Sequence, residues 1–243
     1  MLLIPLWRAL MPRPTCLLCD EPAEHVQRPV CLPCEAELPW LHTPCSICAV
    51  PLPKAQLICG QCQRRKPAFD VVQAPWHYRF PLDSLIPRFK HQQQWPIGRL
   101  LATLLADHLQ HAYDQGLPRP DALVPVPLAQ QRQRQRGFNQ AQMLAQWLAQ
   151  HLTLRCEPEL VKRITDTPSQ QGLSAAQRRR NLRRAFIVTA PLAVAGRHLA
   201  LVDDVLTTGA TAQAMARVLR QAGASRVDVY CLARTPPPGH VPV

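Results

Sequence analysis

Leu199-Ala200-Leu201-Val202-Asp203-Asp204-Val205-Leu206-Thr207-Thr208-Gly209-Ala210-Thr211 is the stretch on which the fold reading turns. An apolar run of strand length stops at two adjacent acids, and small hydroxyl residues and one glycine follow. Ala212 to Gln221 then reads as a helix, so the whole is a strand–loop–helix unit of an open α/β sheet. Ligands of such sheets bind at the carboxyl ends of the strands. The loop has the chemistry of a phosphate cradle. Gly209 permits close backbone approach, and Thr207, Thr208 and Thr211 add hydroxyl donors. The helix start turns unsatisfied N–H groups and the positive end of its dipole toward an anion. Two carboxylates would repel a phosphate, so Asp203 and Asp204 need another task, and sugar hydroxyls or Mg²⁺ suit them. A phosphorylated ribose satisfies both halves of the loop.

Outward from this unit, Ser225 to Arg234 reads as the next parallel strand, reached through the helix. Upstream, Asp121-Ala-Leu-Val-Pro125-Val-Pro127-Leu128 reads as a buried strand ending in a proline-stiffened loop. Arg132, Arg134 and Arg136 follow, then Gly137-Phe138-Asn139-Gln140 and an amphipathic helix through Ala141, Leu144, Leu148 and Leu152. Further back, Trp95 to Tyr113 carries Ile97, Leu100, Leu101, Leu104, Leu105 and Leu109 at helical spacing. Pro81 to His91 is expected to be a helix presenting Lys90 near its end, and Val71 to Phe80 is strand-like.

Eight of the ten cysteines fall in four Cys-x-x-Cys knuckles: Cys16/Cys19, Cys31/Cys34, Cys45/Cys48 and Cys59/Cys62. Each half of this region has the spacing of a zinc ribbon, in which two knuckles supply four thiolates to a tetrahedral Zn²⁺. No segment between the knuckles could build an apolar core alone, so metal would supply the folding energy. Sequential pairing and a cross-brace, first knuckle with third and second with fourth, both fit the spacing. The lack of a secretion signal disfavours a disulfide scaffold, and the regular pairing favours zinc over an iron–sulfur cluster. Cys156 and Cys231 stand alone and read as ordinary buried residues.

A chain of 243 residues holds one α/β domain plus something smaller. The division expected is a cysteine-rich domain over 1–68 and a larger domain over 69–243. The net charge of +12 points to phosphorylated ligands or polyanions. It is concentrated beside the presumed site, with eleven Arg/Lys against three acids between Gln130 and Arg184. No segment reaches about 18 consecutive apolar residues, so no membrane span is expected and the chain reads as soluble and cytoplasmic.

The thirteen opening residues match, at every position, the signature by which type I phosphoribosyltransferases bind phosphoribosyl pyrophosphate (PRPP). Arg136-Gly-Phe-Asn-Gln140 follows Val124-Pro-Val-Pro-Leu128; then come Arg163-Ile-Thr165, Gln170-Gln171, Leu173-Ser, Arg178-Arg-Arg-Asn181 and Ala185-Phe186. With the four knuckles, these motifs make the chain resemble the ComF family over residues 14 to 235, most closely its GntX-type members, relatives of ComFC.

The resemblance implies a type I phosphoribosyltransferase fold, a mostly parallel sheet flanked by helices, behind a small zinc-ribbon domain. It implies a PRPP site of Asp203, Asp204, Val205, Thr207, Thr208, Gly209, Ala210 and Thr211. Asp203 and Asp204 would be the catalytic pair and Mg²⁺ would accompany PRPP. Lys90, Pro127, Arg132, Arg136 and Arg178 are candidates for meeting pyrophosphate or forming a lid, and Thr165 to Arg184 fits the mobile loop that closes over PRPP. The structural metal would be one or two Zn²⁺. The family is linked to DNA uptake and to use of DNA as a nutrient. Two classes of function follow. One is transfer from PRPP to a nucleobase, nucleotide or nucleic-acid acceptor. The other is a silent PRPP sensor, or an adaptor that binds single-stranded DNA and DNA-uptake proteins. No motif places a general base, and His91 is the nearest histidine by position.

Overall fold

The computed structural model describes residues 14–54, 58–164 and 185–236. It divides into two compact units, Met1–Leu38 and Pro39–Val243. The first holds the first two knuckles and a short helix, α1 (Leu32–Ala36), that starts directly after Cys31. Its buried apolar residues among those described are Cys16, Ala23, Val30, Cys31 and Leu38. That is too little apolar surface to fold 25 residues without a metal.

The second unit begins with knuckles three and four and the helix α2 (Gly60–Arg64). Two short strands follow, β1 (Val72–Gln73) and β2 (Trp76–His77), where one continuous strand-like run was expected. Ala74 and Pro75 lie between them, and the proline, with no N–H to donate, breaks the ladder; both strands nonetheless pair in parallel with the same neighbour. Next come α3 (Leu82–Gln92), α4 (Trp95–Asp114), β3 (Ala122–Pro125), α5 (Gln130–Arg136), α6 (Gln140–Leu152), β4 (Arg155–Cys156), β5 (Val161–Arg163) and β6 (Phe186–Val188). The chain ends in β7 (His198–Leu206), α7 (Ala210–Gln221) and β8 (Arg226–Arg234). The main sheet runs β1-β8-β7-β3-β4, with β2 also on β8, and every pairing in it is parallel. Parallel sheets require cover on both faces, and their strands read as continuous apolar runs. Accordingly Leu199 to Val202 of β7 and Val227 to Ala233 of β8 are fully buried.

The helices bury the stripes expected of them. On α4, Ile97, Leu100, Leu101, Leu104, Leu105 and Leu109 are buried, and on α6 Leu144, Leu148 and Leu152. Gly98 of α4 lies so close to Phe89 of α3 that an added Cβ would stand 2.5 Å from that ring. This packing fixes the end of α3, where Lys90 sits.

β7 departs from expectation at its end. It does not stop at the acids but continues to Leu206, with Val205 opposite Ala233 and Leu206 opposite Arg234. The nine-residue β8 alongside supplies the ladder that keeps it extended. Residues 165–184, with Arg178 and the expected closing loop, lie outside the described residues; the antiparallel pair β5–β6 flanks them.

Candidate functional site

The site is built at the carboxyl end of β7, between β3 and β8. Asp203 and Asp204 lie on its last turns of ladder, and the Asp204 N–H donates to Asp203 Oδ1 at 2.9 Å. Thr207 and Thr208 are exposed, while Val205, Gly209, Ala210 and Thr211 are half-buried. Gly209 has φ +72°, the left-handed region, and it caps α7. No atom lies within 4 Å of where its Cβ would be, so backbone conformation alone asks for glycine here. The helix therefore begins at Ala210, two residues earlier than the sequence suggested. Its first N–H groups face the loop, and Thr208 Oγ1 accepts from Ala210 N–H at 3.3 Å.

Lys90 arrives from the last turn of α3, and its ammonium forms an ion pair with the Asp204 carboxylate. Asp204 is 4% exposed. Burial pulls the Lys90 ammonium down to about 8; attraction to Asp203 opposes this, and Arg136 and Arg132 push the same way as burial. Burial also raises Asp203 to about 6, with Lys90 pulling it back. Lys90, Arg132, Arg136, Asp203 and Asp204 thus act on one another electrostatically, and the structure gathers them from three separate stretches of chain. His91 stands nearby, its pKa lowered by burial and then by Arg136 and Lys90.

The Arg136-Gly-Phe-Asn-Gln140 motif has a local explanation. Gly137, at φ +81°, ends α5, and Asn139 starts α6 by accepting from the N–H groups of Ala141 at 3.0 Å and Gln142 at 3.4 Å. The same side chain donates from Nδ2 to the Val126 carbonyl at 3.1 Å, which pins the loop carrying half-buried Pro127. The Arg136 guanidinium bonds Gln140, and Phe138 packs 6.0 Å from the ring of Phe89, the neighbour of Lys90. Breaking and restarting a helix therefore sets Arg136 near Lys90. Asn139 was not singled out from sequence, although an Asn just before an apolar helical stripe is a readable cap signal.

Both cysteine sets close in sequential pairs. The sulfurs of Cys16, Cys19, Cys31 and Cys34 lie within 4.8 Å of one another, as do those of Cys45, Cys48, Cys59 and Cys62. Cys19 and Cys31 sulfurs are 3.7 Å apart, and so are those of Cys48 and Cys59. Four thiolates around zinc at about 2.3 Å stand roughly 3.8 Å apart. The donor sets therefore fit two structural Zn²⁺ ions, and the cross-brace is excluded. The lone cysteines differ: Cys231 is fully buried, whereas Cys156 is half-buried.

Among the described residues no helix is long and apolar enough to cross a membrane. Residues 6–63 match the double zinc ribbon domain, and residues 139–240 match the phosphoribosyl transferase domain. The chain is 38% identical over 221 residues to the DNA utilization protein YhgH of Escherichia coli K12, an overlap of 90% of this chain and 96% of that one. It is 37% identical, with the same coverage, to competence protein F of Haemophilus influenzae. It is 26% identical over 246 residues to competence protein ComFC of Bacillus subtilis, covering 90% of this chain and 95% of that one.

Proposed function

Because this chain belongs to the ComF family of DNA-utilization and competence proteins, with a double zinc ribbon ahead of a phosphoribosyl transferase domain, we propose that it binds PRPP at the end of β7 and transfers its phosphoribosyl group. The observation that carries this reading is the convergence of a left-handed Gly209, the N-terminus of α7 and a buried acid paired with Lys90 at the carboxyl end of β7. Thr207, Thr208, Gly209, Ala210 and Thr211 hold the 5′-phosphate, with Val205 shaping the approach. Asp203 and Asp204 take the ribose hydroxyls. Both are hard oxygen donors and one already faces a cation, which fits Mg²⁺; when bound, that ion would neutralise charge on the pyrophosphate. Lys90, Arg132 and Arg136, with the backbone at Pro127, receive the pyrophosphate.

In the transfer, the bond from the anomeric carbon to the pyrophosphate oxygen breaks and a bond to the acceptor forms, and the acceptor loses a proton to solvent or base. Asp203 and Asp204 stabilise the positive charge that develops on the ribose ring. Calorimetric titration with PRPP and Mg²⁺, paired with an assay of pyrophosphate release, tests the reading. Binding and turnover are both expected to vanish in Asp204→Asn.

A silent adaptor for single-stranded DNA is the second reading, and one observation favours it. Trp95 is 45% exposed and lies 5.8 Å from the ring of Phe138, which follows α5 and its exposed Arg132 and Arg134. Bases stack on such aromatics while arginines follow the backbone. On this reading Trp95→Ala weakens binding of an oligothymidylate about tenfold, and an unchanged affinity would count against it.

A further inference from the structure

The second cysteine site is not an appendage of the α/β domain. Val72 N–H donates to the Ile47 carbonyl at 2.8 Å, inside the third knuckle. Ala49 is buried in the main core, with Ile47 and Cys48 packed against it. At the far end of the chain, β7–β8 pairing sets Arg234 opposite Leu206, at the root of the phosphate loop. Arg234 is 8% exposed, and its hydrogen bonds among the described residues run to backbone carbonyls. Nε donates to Cys48 at 2.9 Å. Nη1 donates to Leu206 at 2.9 Å, to Thr235 at 2.7 Å, and to Thr207. One planar guanidinium therefore grips a metal-ligand residue with one nitrogen and the first residue of the phosphate loop with another.

We infer that Arg234 is a positioning residue that couples metal occupancy of Cys45, Cys48, Cys59 and Cys62 to the conformation of the 207–211 loop. The knuckle's shape depends on its metal. The Cys45 sulfur accepts from Cys59 N–H at 3.2 Å, and the turn closes through Ala49 N–H to the Cys45 carbonyl at 2.9 Å, with Ala49 at φ +51°. Bound metal holds this turn, the turn holds the Cys48 carbonyl, and Arg234 transmits that position to Leu206 and Thr207. A rigid fork suits this role, whereas a lysine ammonium is a point donor that cannot span both groups in fixed directions. Coupling between two sites is reciprocal, so a ligand that orders the loop must also tighten the metal site.

The coupling rests on the reading of 207–211 as the PRPP loop, and the test separates the two. Full-length zinc-loaded protein is mixed with a chromophoric zinc chelator, with and without PRPP and Mg²⁺. Zinc loss is followed in wild type and in Cys34→Ser, which retains only the second site and so assigns its phase. PRPP is expected to slow zinc loss from the second site at least about fivefold, leaving loss from the first site, in the other compact unit, unchanged. Arg234→Lys is expected to keep both zincs and lose the PRPP effect. Calorimetric binding of PRPP with no change in zinc loss overturns the coupling and leaves the proposed function standing. Absence of PRPP binding overturns both. If wild type shows the effect and a zinc-loaded Arg234→Lys shows it equally, the assignment to Arg234 is wrong; the wild-type comparison decides the coupling even if that variant fails to fold.

Discussion

Lys90 and Asn139 show how single side chains assemble this site. The Lys90 ammonium satisfies a buried Asp204 that would otherwise be a costly uncompensated charge. Asn139 ties the start of α6 to the loop after β3 with one amide, accepting through oxygen and donating through nitrogen. Losing such a cap costs about 1 kcal/mol, and Asn139→Ala also strips the Val126 carbonyl of its donor. Denaturant unfolding is therefore expected to show Asn139→Ala destabilised by about 1–2 kcal/mol. Asn139→Ser, which keeps the capping oxygen, should fall between it and wild type. Equal stability of all three would show that the amide holds nothing. At this scale the sequence was legible where chemistry is contiguous. Asp203 to Thr211 could be read directly because strand end, turn and helix start are neighbours in the chain. Arg234 could not, because its partners lie 186 residues away at Cys48 and 28 at Leu206.

At the level of elements, periodicity located α4 and α6, each of which buries one apolar stripe between the sheet and a neighbouring helix. It failed at the end of β7, where polar acids suggested a stop and the neighbouring β8 kept the strand extended. It also merged β1 and β2, since an apolar run shows no break in pairing. The contact between α4 and β1 has a pH-dependent consequence. His108 of α4 meets Gln73 of β1, Nε2 to Oε1 at 3.1 Å, and burial, then His111, lowers its pKa. The folded state thus resists protonating His108, while the unfolded chain takes the proton near the usual pH of about 6.5. Stability from this group is present above that pH and declines as pH falls through the window below it. Melting curves of wild type and His108→Gln are expected to diverge as pH drops below about 6.5, the variant losing less. Parallel curves from pH 7.5 to 5.5 would refute the assignment.

Across the whole molecule, the cysteine spacing pointed to one or two zinc sites, and the two closed sulfur clusters agree with the double zinc ribbon match. Spacing alone could not say which knuckles pair, nor that the second site would share a compact unit with the sheet. Both depend on tertiary packing, in which Ile47, Cys48 and Ala49 join the core of the α/β domain. The molecule then places a basic cluster, an acid pair and a helix N-terminus at the carboxyl end of β7 in the middle of a parallel sheet, where PRPP is expected to bind. Calorimetric titration of the zinc-loaded full chain with PRPP and Mg²⁺, run beside Asp204→Asn, is the test of PRPP binding at this site. Saturable binding by wild type that disappears in the variant is the expected result. No heat of binding from wild type with its zinc in place, or equal binding by both proteins, would contradict it.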